Sequence, residues 1–98
     1  MLIYEVNIEV PQSMSADFEG WLSEHIEQML CVDGFVGAHI YLDQSPPDSK
    51  SCFVVHYEVE SEEKLEAYFA GPAKQLRAQG LEKFGEDLKV DRRVLARQ

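Results

Sequence analysis

Positive charge is what this sequence has least of. Its 98 residues carry nine Lys and Arg against 18 Asp and Glu, a formal net charge of −9. Binding a nucleic-acid backbone rests on basic side chains that displace condensed counterions, and an anionic membrane surface is recognised by the same residue types. The basic residues are few, and Lys83, Lys89, Arg92, Arg93 and Arg97 crowd toward the end of the chain. Both partner classes are therefore read as excluded, and the acidic surplus as a solubility device.

Cysteine is scarce as well. Cys31 and Cys52 are the only two, and they have no C-x-x-C spacing. No apolar run approaches the ~20 residues of a membrane-spanning helix. The opening Met1-Leu2-Ile3-Tyr4-Glu5 lacks the charged-then-apolar order of a signal peptide. These absences predict a cytoplasmic protein whose thiols are reduced, free and partly buried. No repeat, low-complexity tract or linker divides the chain, so residues 1–98 are read as one domain.

Chemical motifs are thin. No serine sits in a G-x-S-x-G elbow, and neither cysteine has an adjacent histidine. Cys31 falls near the negative end of its expected helix, which raises a thiol pKa. His25, His39, His56, Cys31 and Cys52 never fall at metal-ligand spacing. Gly34 and Gly37 lack the loop-to-helix context of a phosphate cradle. Neither a metal nor a cofactor is expected.

What the sequence does have is periodicity. Leu2, Tyr4, Val6, Ile8 and Val10 alternate with Ile3, Glu5, Asn7 and Glu9, the signature of a half-buried strand that Pro11 ends. Ser13 and Ser15 offer helix N-caps. Phe18, Trp21, Leu22, His25, Ile26, Met29 and Leu30 then make one helical stripe, and Asp33-Gly34 marks a turn. Residues 35–43 read as a second strand, with Val36, Ala38, Ile40 and Leu42 on one face and Phe35, Gly37, His39 and Tyr41 on the other. Ser45-Pro46-Pro47-Asp48 reads as a loop. Residues 52–60 form a third strand, with Phe53, Val55, Tyr57 and Val59 facing the core. A helix opens at Ser61 and is interrupted or restarted at Gly71-Pro72. Gly80 suits its C′ position, a short turn closes at Gly85, and residues 88–95 form a last strand.

This βαββαβ order predicts an α+β, ferredoxin-like domain. It has a four-stranded antiparallel sheet, spatial order 4-1-3-2, with two helices on one face. The other face is left uncovered. It carries Ile3, Glu5, Asn7, Glu9, Val54, His56 and Glu58, with His39 and Tyr41 beside them, and is expected to meet the same face of a second subunit in a homodimeric α/β barrel.

Several stretches in this order point to a family. They are Ile3-Tyr4-Glu5-Val6, Trp21 with His25-Ile26, Gly34-Phe35-Val36-Gly37-Ala38, and the run Pro72, Leu76-Arg77, Gly80-Leu81 and Phe84-Gly85. The chain resembles DUF4286, a bacterial family of uncharacterised function within the dimeric α/β-barrel, ferredoxin-like superfamily. Glu27 stands where relatives often have proline, and Lys83 where Arg is expected. The resemblance implies the fold and the dimer but no activity. Its superfamily includes cofactor-free monooxygenases and haem-dependent enzymes, a fold-level analogy only.

Two candidate places follow. Trp21, His25, Tyr57, Tyr68 and Phe69 are expected to line a pocket between helices and sheet. There His25 or Tyr57 is either a proton handler or a structural group bonded within the core. Glu5, Asn7, His56 and Glu58 are expected to face the partner, with Glu9 and Arg93 nearby. They form either a proton-handling cluster or a set of cross-strand pairs. Two functions follow in turn. One is a non-enzymatic homodimer that binds a small apolar ligand or a protein partner. The other is a cofactor-independent oxygenase or isomerase acting on an aromatic or polyketide-like substrate.

Overall fold

A computed structural model describes residues 1–44 and 49–98; the loop expected at Ser45-Pro46-Pro47-Asp48 lies outside the described residues. The elements run β1 (Leu2–Pro11), α1 (Ser15–Met29), β2 (Phe35–Leu42), β3 (Lys50–Val59), α2 (Glu62–Ala70), α3 (Ala73–Phe84) and β4 (Lys89–Ala96). Short 3-10 turns precede α1 and follow α3. The strands form one sheet in the order β2-β3-β1-β4, every neighbouring pair antiparallel. This is the ferredoxin-like α+β architecture expected from the periodicities.

β1 is central, and its alternation decides both faces. Tyr4, Val6, Ile8 and Val10 point into the core, where Phe53, Val55, Tyr57 and Val59 of β3 join them. Phe18, Leu22, Ile26 and Met29 of α1 cover that layer, together with Leu65, Tyr68, Ala73 and Phe84 from the second helical segment. A fully buried Leu, Phe or Met side chain contributes roughly 1.5–3 kcal/mol, so this layer dominates the stability of so short a chain.

The second helical segment does break at Gly71-Pro72. Ser61 caps α2 by accepting from the Lys64 N–H at 3.3 Å. Three expectations are corrected. Neither Ser13 nor Ser15 caps α1, because the 3-10 turn over Gln12–Met14 carries the chain into the helix and Met14 takes the cap position without a side-chain bond. Gly80 lies inside α3 rather than after it, and the terminating glycine is Gly85, at φ 60°. Cys31 is exposed rather than partly buried, whereas Cys52 is half-buried; both are free.

β2 differs in register. A β-bulge between Phe35 and Gly37 sets Val36 apart from the ladder. The extra residue flips everything before it, so Phe35 joins the covered face opposite Val59, on the same side as Ala38, Ile40 and Leu42. The alternation alone had placed Phe35 with His39. The Phe35 ring gains aromatic partners inside, with centroids 5.0 Å from Tyr68 and 5.7 Å from Tyr57. Gly34, just before it, adopts φ 91°, and a Cβ there would lie 2.4 Å from Lys64 Cβ, so only glycine fits this turn.

Candidate functional site

α1 and α3 meet over the sheet at one tight point. Trp21 projects from the flank of α1, and a Cβ on Gly80 of α3 would lie 2.9 Å from its Cη2. The missing side chain lets the indole sit against the α3 backbone. One turn along α1, His25 stacks on the Trp21 ring with centroids 4.7 Å apart and planes 17° from parallel. Beneath this seam the helices do not fill the space above β1 and β4. A cavity of about 320 Å³ remains.

Its floor is Val6, Ile8, Tyr57, Val90 and Arg92 from the covered face of the sheet. Its walls are Trp21, Leu22 and His25 from α1 and Leu76, Arg77, Gly80 and Leu81 from α3. Leu81 is 64% exposed, and Arg77 and Arg92 are exposed as well, so these lining residues stand at the solvent side, the mouth of the cavity. The lining holds no carboxylate. The structure thus brings Trp21, His25 and Tyr57 to one cavity. Tyr68 and Phe69 lie away from it. Tyr68 borders a more open hollow of about 330 Å³ with Gln28, Val32 and Pro72. The ring of Phe69 packs on Tyr4, centroids 5.5 Å apart, and under the Arg77 guanidinium, 5.7 Å above its centre.

His25 is half-buried, and its Nδ1 is a buried atom with no hydrogen-bond partner among the described residues. Burial pushes its pKa below the ordinary imidazole value; a hydrogen bond with Gln79 opposes that, and the Arg92 charge adds to it. The ring is therefore neutral at pH 7, with a nitrogen able to accept or relay a proton. Burial pushes the Tyr57 phenol far above its usual value, so it is an un-ionised hydroxyl. Arg77 is committed: its Nη2 donates to the Tyr4 hydroxyl at 3.1 Å. Arg92 has no hydrogen bond or ion pair among the described residues.

Sequence reasoning missed the two arginines, and one signal existed. Val90, Arg92 and Val94 share the covered face of β4, opposite Ile8, Val6 and Tyr4. A lone cation in an apolar alternation marks a place where the core is open.

The open face is organised as a row. His39, His56, Glu5 and Arg93 stand directly opposite one another across all four strands. Glu5 is the hub, only 5% exposed. His56 Nε2 meets its Oε1 at 2.8 Å and Asn7 Nδ2 donates to Oε2 at 2.9 Å, while Arg93 forms a two-nitrogen ion pair with the carboxylate. Hydrogen bonding from Arg93 holds the Glu5 carboxyl at about 2, against the opposing effect of burial and with help from Asn7 and His56. Glu58 lies 3.5 Å from His39 in the neighbouring row. Among the described residues no group of His, Cys, Asp and Glu is placed to hold a metal ion, and no helix is long and apolar enough to cross a membrane.

The family model described as "Domain of unknown function (DUF4286)" matches residues 1–98. The chain belongs to the DUF4286 family. No curated protein matches it in sequence. Solved structures share its fold at low identity. Rv0793 from Mycobacterium tuberculosis superposes with a TM-score of 0.69 at 20% identity, over 100% of this chain and 96% of that one. SnoaB, a cofactor-independent oxygenase from Streptomyces nogalater, superposes with a TM-score of 0.67 at 17% identity, over 99% and 94%. An ethyl tert-butyl ether degradation (EthD) family protein from Bacillus halodurans gives 0.69 at 15% identity, over 100% of both chains. At these identities the likeness is one of fold.

The Glu5 hub gives a pH-dependent expectation. A carboxyl held below its unfolded value stabilises the native state above that value, and the contribution disappears as pH falls through the folded pKa. Glu5→Gln should cost on the order of 2 kcal/mol at pH 7 in denaturant unfolding. The gap to wild type should close as pH falls from about 4.5 toward about 2. A gap unchanged between pH 7 and pH 3 would show that the ion pair contributes nothing.

Proposed function

We propose that this DUF4286 protein binds a small, largely apolar molecule in the cavity between α1, α3 and the sheet. The observation that carries the reading is the cavity itself. Its volume, about 320 Å³, lies at the lower end of the range for small-molecule sites. Its lining is mainly aliphatic and aromatic, with a few polar groups converging on it. That is space for a ligand of one or two rings, and Trp21 offers a ring face for stacking.

Leu81 at the mouth is exposed, so enlarging it should block entry without disturbing the core. Isothermal titration calorimetry with 2-naphthamide, a neutral two-ring probe, should show saturable binding of one molecule per chain. Leu81→Trp should weaken it at least about tenfold while leaving the thermal unfolding midpoint within a few degrees. Saturable binding that survives Leu81→Trp unchanged would place the probe elsewhere and contradict the reading.

A second reading is favoured by the unpartnered, neutral His25 Nδ1. Here the bound molecule is a substrate, and His25 takes a proton from it beside the un-ionised Tyr57 hydroxyl. The cofactor-independent oxygenase among the fold relatives suggests the class. An electron-rich aromatic CH2 group would lose a proton and be oxidised by dioxygen to a ketone, with water as the second product. Oxygen uptake with anthrone-type phenols should then be measurable and should fall at least about a hundredfold in His25→Ala. Uptake equal to the buffer blank would leave binding as the function.

The open face supports a homodimer. Ile3, Val54 and Tyr41 lie beside the Glu5 row, and an identical face on a second copy would cover them. Light scattering after size exclusion should give twice the 11.2 kDa chain mass at micromolar concentration; a clean monomer contradicts this. Such a dimer would be a small protein of the cytoplasm.

A further inference from the structure

We infer that the molecule this cavity takes is an organic anion: a flat apolar body with an acid group that rests on Arg92 at the mouth. This deepens the ligand-binding reading above and depends on it.

The chain carries a net charge of −9, yet the cavity between α1, α3 and the sheet is lined by two arginines and no carboxylate. Arg77 is held by the Tyr4 hydroxyl and the Phe69 ring. Arg92 is held by nothing among the described residues, although the Glu5 carboxylate draws in its neighbour Arg93 on the opposite face. Register explains the difference. Arg92 stands opposite Val6 on the covered face, and Arg93 stands opposite Glu5 on the open one. The strand therefore delivers an uncompensated guanidinium to the rim of an apolar chamber. A guanidinium matches a carboxylate, sulfonate or phenolate through paired N–H donors, and such charge-assisted bonds are about twice as strong as neutral ones.

The surrounding acidity does not cancel this. Exposed charges more than about 8 Å away are largely screened at physiological salt, whereas Arg92 would touch the ligand's acid group. The His25 ring contributes a neutral face inside the chamber, so the anion's charge is met at the rim and its apolar body is met within. An amphipathic acid fits both ends, and a neutral hydrocarbon would leave the guanidinium unused.

The test compares two probes of one shape, 2-naphthoate and 2-naphthamide, by calorimetry on the full chain. Arg92→Gln should weaken naphthoate at least about tenfold and leave naphthamide within about twofold. Arg92→Lys, which keeps the charge, should retain naphthoate within about threefold to fivefold. Because Arg92 is exposed, both variants should melt with wild type. Raising salt from 50 to 500 mM should weaken naphthoate in wild type and not in Arg92→Gln. If Arg92→Gln leaves naphthoate unchanged, or weakens both probes equally, the anion inference is overturned while naphthamide binding sensitive to Leu81→Trp upholds the cavity. If neither probe binds wild type, the inference and the cavity reading fall together.

Discussion

Glu5 faces His56 on one side and Arg93 on the other because β1 lies between β3 and β4. That single placement fixes the register of β3 and β4 at once. A slip of one residue would carry a carboxylate into the core and expel Tyr4 and Val6. The cost of burying an unpaired carboxylate is several kcal/mol, a large fraction of the stability of a domain this size. With the register pinned, every residue on the other side of the sheet has its place. Tyr57 and Val6 form a floor, and Arg92 is carried to the rim.

The cavity is a product of how little helix this chain has for its sheet. α1 and α3 meet where Trp21 lies against Gly80 and where Phe18 and Trp21 pack on Phe84. Their buried stripes run from Phe18 to Met29 and from Ala73 to Phe84, and the cavity lies between them and the sheet. Filling the gap would have needed larger residues at Leu76 or Val90, both of which line it. Instead the space is ringed by a stacked Trp21–His25 pair and an unoccupied guanidinium. Aliphatic and aromatic residues, a neutral imidazole and an unpaired guanidinium would suit the aromatic acid proposed above. They are poorly suited to a sealed core, where an unpartnered imidazole nitrogen is a net loss.

Much of the fold was legible in the sequence, for reasons tied to particular residues. The strict alternation from Leu2 to Val10 and the helical stripe from Phe18 to Leu30 each admit one reading. Trp21 and His25 fall at the edge of that stripe, half-buried, and line the cavity from α1. Two features resisted. The bulge at Val36 inserts one residue into an otherwise regular pattern, and period-2 reasoning has no means to see it. Gly80 looked like a helix terminator, but its role is to make room for an indole that is 59 residues earlier in the chain. The aromatic pocket was too broadly drawn for the same reason. Tyr68 and Phe69 share aromatic character with Trp21, but the break at Gly71-Pro72 turns α2 onto Tyr4 and Phe35. Arg92 was hidden among neighbouring charges until the β1–β4 register separated it from Arg93.

The proposed function makes the space under Trp21 a binding site rather than a packing defect. Two-dimensional amide NMR of the uniformly labelled protein, titrated with 2-naphthoate, tests it residue by residue. The account predicts saturable shifts concentrated at the Trp21 indole N–H and at the backbone of His25, Gly80, Leu81 and Arg92, with Asn7, His56 and Glu58 on the open face unmoved. Shifts concentrated on that open face, or none at saturating probe, would contradict it.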